Sequence, residues 1–294
     1  TFNATTDASG NFSINNVYEG NYEVIAGQWG YITYCGNEYI STSIINTITL
    51  EQGYYDDFTF DFDWTVNGAA SVGMWERGLS EGTNNQGQDF NPDGDINNDC
   101  MDFAYVTGLS AGGQTGSNDV DDANTVLTSP IFDLSLPLSP SINYFLNYNI
   151  WFSNGGGGWG GTGLPNDSIT VKVTNGTTNV ILEIMTISNL LEFGQWNSRS
   201  YDLSQYISLT NTMQISIETA DWDAFGGHLV EGGFDKFEIS SQVSSSFENV
   251  INIDGNKKLI KIVDLFGRET NKISNSVLFY IYNDGSVDKR FIVK

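Results

Sequence analysis

Apolar and polar residues alternate at a period of two along much of this chain, the pattern of half-buried antiparallel β-strands. In the first part the alternation is clear at residues 22–26, after an Asn- and Gly-rich turn. Further stretches of the same kind cover residues 142–152, 168–174, 180–185, 213–218 and 233–239. Short runs of Gly, Asn, Asp and Ser separate them. The pattern predicts an all-β protein.

The last part of the chain predicts a small β-structure of its own. Residues 257–263 are typical of a strand that runs into a turn at 264–269. Residues 277–282 and 287–294 alternate again and flank Asp284-Gly285, a pair favoured in tight hairpin turns. We therefore expect a strand followed by a closing β-hairpin.

Composition supports strands over helices, since the chain contains 32 Gly and its aromatic residues reach 13%. No window approaches the ~18 apolar residues of a membrane-spanning helix. The first residues lack the basic start and apolar core of a signal peptide. Either an export signal was removed, or residue 1 is not the natural start.

Charge divides the chain near residue 242. Of the 12 Lys and Arg residues, only Arg77, Lys172, Arg199 and Lys236 precede residue 243, whereas most of the 36 Asp and Glu residues do. The net charge of −24 disfavours binding to nucleic acid or anionic lipid. It suits an extracellular protein that meets divalent cations. The change in charge marks a boundary between an acidic body and a near-neutral tail.

Residues 6–31 resemble the carboxypeptidase regulatory-like domain. The similarity rests on Asp-Ala-Ser-Gly-Asn-Phe at 7–12, Val-Tyr-Glu-Gly-Asn-Tyr at 17–22 and Trp-Gly-Tyr at 29–31. It implies a transthyretin-like β-sandwich over residues 1–62. That family opens with a further strand, so we expect the natural polypeptide to continue upstream.

Residues 63–241 resemble the MAM-like jelly rolls of secreted bacterial metallopeptidases. The matching pieces are Trp-Glu-Arg-Gly at 75–78, Leu-Thr-Ser-Pro-Ile-Phe-Asp-Leu at 127–134 and Val-Glu-Gly-Gly-Phe-Asp-Lys-Phe at 230–237. The resemblance implies an accessory binding or spacer module. Together with the first module, it suggests a zinc carboxypeptidase-like enzyme upstream of this chain.

Residues 242–294 resemble the type A C-terminal sorting domain of Bacteroidetes proteins exported by the type IX secretion system, a small Ig-like β-sandwich. Val-Asp-Leu-Phe-Gly-Arg at 263–268, Tyr-Ile-Tyr at 280–282 and the basic final strand carry the match. The resemblance implies secretion to the cell surface or medium, with the translocon and an outer-membrane porin-like shuttle protein as partners. The implied signal residues are Asp264, Gly267, Arg268, Tyr280, Tyr282, Asp284, Gly285, Lys289, Arg290 and Lys294.

Catalytic residues are not apparent. The chain has one histidine, His228, whereas a zinc hydrolase or a Ser-His-Asp triad needs a fuller set of groups. We interpret His228 as a surface or loop residue. Paired carboxylates for glycoside hydrolysis remain open, but no pair stands out. The interpretation is a non-catalytic chain.

Calcium is the chemistry that the sequence indicates best. Oxygen-bearing side chains recur two residues apart in 91–99, and a second acidic group spans 118–122. Such spacing lets a loop wrap ligands around a hard cation, and crowded carboxylates repel one another without one. In calcium-bearing jelly rolls such a loop lies near the first and last strands. The alternative is a pair of solvated acidic loops. The predicted ligands are Asp93, Asp95, Asn97, Asp99, Asp119, Asp121, Asp122, Glu76 and Asp235.

Three other features suggest chemistry. Cys35 and Cys100 can form one bridge, with two free buried thiols as the alternative. Asp167-Ser168-Ile169 resembles the Bacteroidetes O-glycosylation motif, with Ser168 as acceptor. Trp159, flanked by glycines, is a candidate sugar-stacking residue. The main alternative function is accordingly a cell-surface adhesin whose jelly roll binds carbohydrate or protein, and a further alternative is that the chain is itself an enzyme.

Overall fold

The computed structural model is all-β, which confirms the fold class predicted from the alternation. It describes residues 1–85, 87–96, 99–109, 115–135, 142–155, 167–186, 193–222, 227–243, 258–264, 267–270, 276–283 and 285–292. Two compact units are present, Thr1–Ser244 and Ser245–Lys294. Within the described ranges, no helix is long and apolar enough to cross a membrane.

The first unit is built on two antiparallel sheets. The six-stranded sheet has the order β13-β10-β15-β8-β5, and β3 also pairs with β15. Its strands are β3 (Tyr54–Asp56), β5 (Trp75–Gly78), β8 (Ala104–Thr107), β10 (Ile142–Gly155), β13 (Asn197–Asp202) and β15 (Leu229–Val243). A short 3-10 turn, Leu203–Gln205, follows β13. The long β10 and β15 run side by side over almost their whole length.

The five-stranded sheet has the order β12-β11-β14-β9-β4. Its strands are β4 (Thr65–Gly68), β9 (Asn124–Thr128), β11 (Ile169–Thr174), β12 (Asn179–Met185) and β14 (Gln214–Ala220). Burial alternates residue by residue along β11 and β14, as the sequence pattern predicts. Leu127, Val171 and Ile217 from this sheet share one hydrophobic core with Phe234 and Phe237 of the other, as in a β-sandwich.

The two remaining sheets of this unit have two strands each. They are β1 (Gly20–Ala26) with β2 (Tyr34–Ile40), and β6 (Thr83–Asn85) with β7 (Gln88–Asn91). The predicted boundary at residue 62 stays a prediction. Ahead of it, β1 and β2 form a two-stranded sheet, while β3 pairs with β15 and Phe58 lies in the sandwich core. Trp29 stacks on Phe237, so this early segment packs on the same core.

The second unit contains β16 (Leu259–Val263), β17 (Ser276–Tyr282) and β18 (Val287–Ile292), in the order β16-β17-β18. β17 and β18 form the hairpin that the sequence predicts. Gly285 in its turn has a φ of +80°, a conformation that glycine adopts at little cost. Val263, Leu278 and Tyr280 of this unit are buried.

Candidate metal centre

Asp95, Asp99 and Asp235 form a cluster whose carboxylate oxygens all lie within 4.8 Å of one another. Asp95 and Asp99 belong to the loop between β7 and β8, whereas Asp235 lies in the middle of β15. Of the nine predicted ligands, the structure brings these three into one group. We call them the β15 cluster.

A β-bulge sets the direction of Asp235. Asn149 pairs with Asp235 and Asn147 with Glu238, so β15 carries one extra residue at this point. Phe234 and Phe237 consequently both reach the sandwich core, and Lys236 between them has a φ of +54°. Asp235 Oδ1 accepts a 2.6 Å hydrogen bond from the Lys236 N–H. The bulge therefore holds a fully buried carboxylate at the edge of the core.

The β15 cluster is electrostatically costly as a set of bare carboxylates. Burial raises the pKa of Asp95 to about 7 and that of Asp99 to about 6, and neighbouring carboxylates add to both shifts. Burial also raises the pKa of Asp235 well above its ordinary value, with Asp99 and Asp95 contributing. Within the described part of the chain, the Oδ2 atom of each of the three is buried and has no hydrogen-bond partner. These oxygens could hold a cation.

Asp57 is a fourth carboxylate beside the β15 cluster, and the sequence reasoning did not single it out. It is buried, and its charge raises the pKa of both Asp95 and Asp99. Its Oδ2 accepts a 3.1 Å hydrogen bond from the Cys100 N–H, and its Oδ1 accepts one of 3.2 Å from the Thr59 N–H. The doubled acid at 56–57, at the end of a strand, was the available signal.

The neighbouring Asp56 has a different role. Its carboxylate accepts 2.8 Å hydrogen bonds from the Trp64 indole N–H and the Phe58 N–H. Burial nevertheless raises its pKa to about 7. Asp56 thus has partners for both oxygens and fixes the start of the sandwich rather than facing the β15 cluster.

Cys35 and Cys100 are joined in a disulfide, with Cα atoms 5.8 Å apart. The bridge ties the end of the loop that holds Asp95 and Asp99 to β2. Because Cys100 follows Asp99 directly, the disulfide and the Asp57 hydrogen bond fix the loop at the cluster itself.

Other predicted ligands lie apart from this group. Asp93 is exposed and accepts from the Gly82 N–H, and Glu76 accepts a 3.0 Å hydrogen bond from the Leu109 N–H. Asp122 accepts from the Ser71 hydroxyl at 2.6 Å. Asn97 lies outside the described residues.

Asp119 and Asp121 do not belong to the β15 cluster. Burial raises the pKa of Asp119 to about 7, and Asp121 adds to that shift. Burial also raises the pKa of Asp121, with Asp122 contributing.

A second group of possible ligands consists of Asp167, Asp221 and His228. His228 lies in a loop just ahead of β15, as one of its two interpretations has it, but it is 3% exposed, so its interpretation as a surface residue is wrong. Its Nδ1 lies 2.6 Å from Asp167 Oδ2. The Gly-Gly pair before His228 suggested an exposed loop. The imidazole is nevertheless buried, because His228 directly precedes β15. Ser168, the predicted O-glycosylation acceptor, is half-buried beside Asp167.

The predicted sorting residues form two small clusters in the second unit. Arg268 donates to Asp264 from its backbone N–H and its Nε, at 3.0 and 2.8 Å, across a turn in which Gly267 has a φ of +76°. The guanidinium of Arg290 lies 4.6 Å from the centre of the Tyr280 ring.

Arg290 also donates to the Tyr282 hydroxyl and to Asp288, both at 3.1 Å. Lys289 pairs with Phe279 in the hairpin. Asp284 and Lys294 lie outside the described residues.

Most of the described tryptophans pack in the interior, with Trp29 and Trp196 partly buried against the hydrophobic clusters. Trp64, Trp75 and Trp151 are buried, and Trp159 lies outside the described residues. Trp222, which follows β14, is 68% exposed. It is therefore the described tryptophan best placed to stack on a ligand.

Comparisons with known proteins identify no family. No family model matches the chain, and no curated protein matches it. Among solved structures, the Stig cyclase Fisc from Fischerella sp. TAU, in complex with an indole ligand, aligns at a TM-score of 0.28 and 14% identity, covering 62% of this chain and 92% of that one.

An apo cyclase from Fischerella sp. aligns at a TM-score of 0.29 and 11% identity, over 65% of this chain and 94% of that one. SGBP-B from a xyloglucan utilization locus of Bacteroides uniformis aligns at 0.29 and 13%, over 81% of this chain and 62% of that one. Overlaps this weak establish no shared function.

Proposed function

We propose that this chain is the non-catalytic C-terminal region of a protein exported by the type IX secretion system. In this proposal residues 242–294 are the sorting signal, and the sandwich before them is an accessory binding or spacer module of a secreted metallocarboxypeptidase. The observation that carries the proposal is the separation of Ser245–Lys294 as a compact unit with a sheet of its own. A signal that other proteins recognise has to fold independently of the module that it accompanies.

The charge and the outer strands of the second unit support the proposal that partner proteins recognise this unit as one folded module. Its described basic residues include Lys258, Lys261, Lys289 and Arg290, in contrast to the acidic first unit. β16 and β18 are the outer strands of its sheet, and outer strands offer backbone groups to a partner. We propose the translocon and the porin-like shuttle protein as the partners that bind it.

The export proposal is tested by fusing residues 243–294 to a fluorescent reporter with an ordinary export signal. Surface delivery in a host with type IX secretion, and periplasmic retention in its translocon mutant, are the expected results. Leu278→Asp, which places a charge at a fully buried position, is the matched negative control because it should unfold the signal. Periplasmic retention of the unaltered fusion in both hosts would reject the proposal.

We also propose a structural Ca²⁺ in the accessory module, held by Asp95, Asp99 and Asp235 with Asp57 beside them. Its support is the buried, unpartnered Oδ2 atom of each of the three ligands, as far as the described chain shows. All of these donors are oxygens, which suits a hard cation of Ca²⁺ type. The ion would offset the burial of these carboxylates and their mutual repulsion, which together raise their pKa values.

A surface adhesin is the second candidate function, and the exposure of Trp222 is the observation that favours it. Exposed indole rings stack on sugars, and this one lies at the end of β14 in the sandwich. Glycan-array binding by the chain, abolished by Trp222→Ala and kept by Tyr206→Ala, would favour the adhesin. Absence of binding by the unaltered chain would favour the spacer role.

A further inference from the structure

The ends of three strands meet at the group formed by Asp167, Asp221 and His228. Asp167 precedes β11 and Asp221 follows β14, both in the five-stranded sheet, while His228 precedes β15 of the six-stranded sheet. One ligand atom from each lies within 4.8 Å of the other two. Rigid strands from both sheets thus position the three side chains, which is how a preorganised site is built.

Burial is high throughout the group. Asp221 is fully buried, His228 is 3% exposed, and the Asp167 side chain is 10% exposed. Gly227 makes the close approach possible, because a Cβ atom at this position would lie 2.0 Å from Asp221 Oδ2. The Asp221 carboxylate therefore lies directly against the backbone that carries His228.

Further negative charge surrounds the group. Asp221 contributes to the raised pKa of Asp119, after burial and the charge of Asp121. Burial, followed by the charge of Asp119, raises the pKa of Glu231 to about 8. Glu231 is 3% exposed, and its Oε2 has no hydrogen-bond partner in the described part of the structure. A cation bound in this group would reduce the electrostatic repulsion among Asp221, Asp119 and Glu231.

We propose that Asp167, Asp221 and His228 form a second metal site, one that binds Zn²⁺ rather than Ca²⁺. An imidazole nitrogen with two carboxylates is a donor set for a borderline metal, whereas Ca²⁺ takes oxygen ligands. The site is separate from the β15 cluster in its residues and in its donor chemistry. A zinc ion bound by both residues would take the place of the hydrogen bond between His228 Nδ1 and Asp167 Oδ2.

The test is a calorimetric titration of the full chain with Zn²⁺ in the presence of saturating Ca²⁺. We expect one saturable zinc ion, with affinity at least about tenfold weaker in His228→Gln, because a ligand is lost while a hydrogen-bonding side chain remains. Asp235→Asn is the matched control and should keep zinc affinity, since it alters only the β15 cluster. Circular dichroism verifies that both variants are folded.

A second measurement needs no variant. Co²⁺ in place of Zn²⁺ should give visible absorption bands of a protein-bound metal, and zinc should abolish them by displacement. Absence of saturable zinc uptake by the folded chain would overturn the proposal and leave His228 and Asp167 as a hydrogen-bonded pair. A zinc affinity that is unchanged in His228→Gln, or that is lost in Asp235→Asn instead, would overturn it as well.

Discussion

At the scale of single residues, several carboxylates lie close together in buried positions. Asp235 is fully buried, and Asp95 and Asp99 share its surroundings. An unpartnered buried charge is among the most destabilising features that a fold can contain. The same oxygens become favourable when a divalent cation lies among them. Stability of the sandwich should therefore depend on metal and on pH.

Asp235→Asn should abolish the stabilisation of the sandwich by Ca²⁺. The amide removes one negative ligand without changing the shape of the side chain, so the metal-free variant should be at least as stable as the metal-free parent. For the parent chain, a Ca²⁺ concentration a hundred times the Kd should add about 2.7 kcal/mol to the free energy of unfolding. Thermal melting with Ca²⁺ and with chelator measures both quantities.

Glu76→Gln is the control, because Glu76 lies outside the β15 cluster and accepts from Leu109. It should leave the Ca²⁺-dependent shift unchanged. A parent chain whose melting temperature is the same with Ca²⁺ and with chelator would contradict the structural calcium ion.

In chelator, the free energy of unfolding should fall as the pH rises. Asp95 and Asp99 titrate at 3.8 in an ordinary environment, but burial raises their pKa values to about 7 and about 6 in the fold. The folded state therefore binds more protons than the unfolded state between these limits, and each lost proton weakens it. The loss should begin near pH 4 and level off above pH 7, with the buried Glu231 extending it toward pH 8.

Urea unfolding across this range, with chelator and with Ca²⁺, tests the pH dependence. Saturating Ca²⁺ should flatten the decline, because the ion takes the place of the protons. A free energy of unfolding that increases from pH 5 to pH 8 in chelator would show that the carboxylates are not destabilised as the structure indicates.

At the scale of elements, the pair β10–β15 organises the sandwich. Trp151 lies opposite Gly233 in the register, and the indole ring covers the glycine so closely that a Cβ there would lie 1.9 Å from Nε1. The ring also packs with Ala104 and Val106 of β8. The strand can carry no side chain at this position without moving the tryptophan.

Gly233→Ala should consequently destabilise the first unit by about 1–3 kcal/mol, through displacement of the Trp151 ring. The midpoint of urea unfolding measures the loss. Gly20→Ala in β1 is the control, since its new methyl group would meet no atom closer than 3.8 Å. Equal midpoints for the Gly233 variant and the parent chain would show that the indole moves freely.

How far the sequence predicts these elements depends on the range of the interactions. The alternation of apolar and polar residues predicted the strands and the closing hairpin. A strand that buries one face shows this directly in its own consecutive residues. Local oxygen spacing led to Asp95 and Asp99, and the resemblance to calcium-bearing jelly rolls added Asp235. The β-bulge at Lys236 could not be predicted from the residues around it. The contact between His228 and Asp167 could not be predicted either, because it depends on the pairing of strands that are distant in sequence.

At the scale of the whole molecule, the Cys35–Cys100 disulfide joins positions 65 residues apart. A bridge across so long a loop restricts the unfolded chain, and the double variant Cys35→Ser/Cys100→Ser should lose about 4 kcal/mol of unfolding free energy. It should also bind Ca²⁺ more weakly, since the loop with Asp99 loses its tether. Urea unfolding and a Ca²⁺ titration measure the two effects.

Ser41→Ala with Ser43→Ala is a suitable control pair, because it alters the same region beyond β2 and leaves the bridge in place. A disulfide-free chain with unchanged Ca²⁺ affinity would show that the loop is preorganised by its other contacts.

The hydrogen bond from the Cys100 N–H to Asp57 places one half of the disulfide directly beside the carboxylates of the β15 cluster. Because Cys100 follows Asp99 directly, reduction of the bridge would release one wall of the ion site proposed above. If that calcium ion is present, the oxidised chain should hold it more tightly than the reduced chain, so that ion retention would report the redox state of the surroundings.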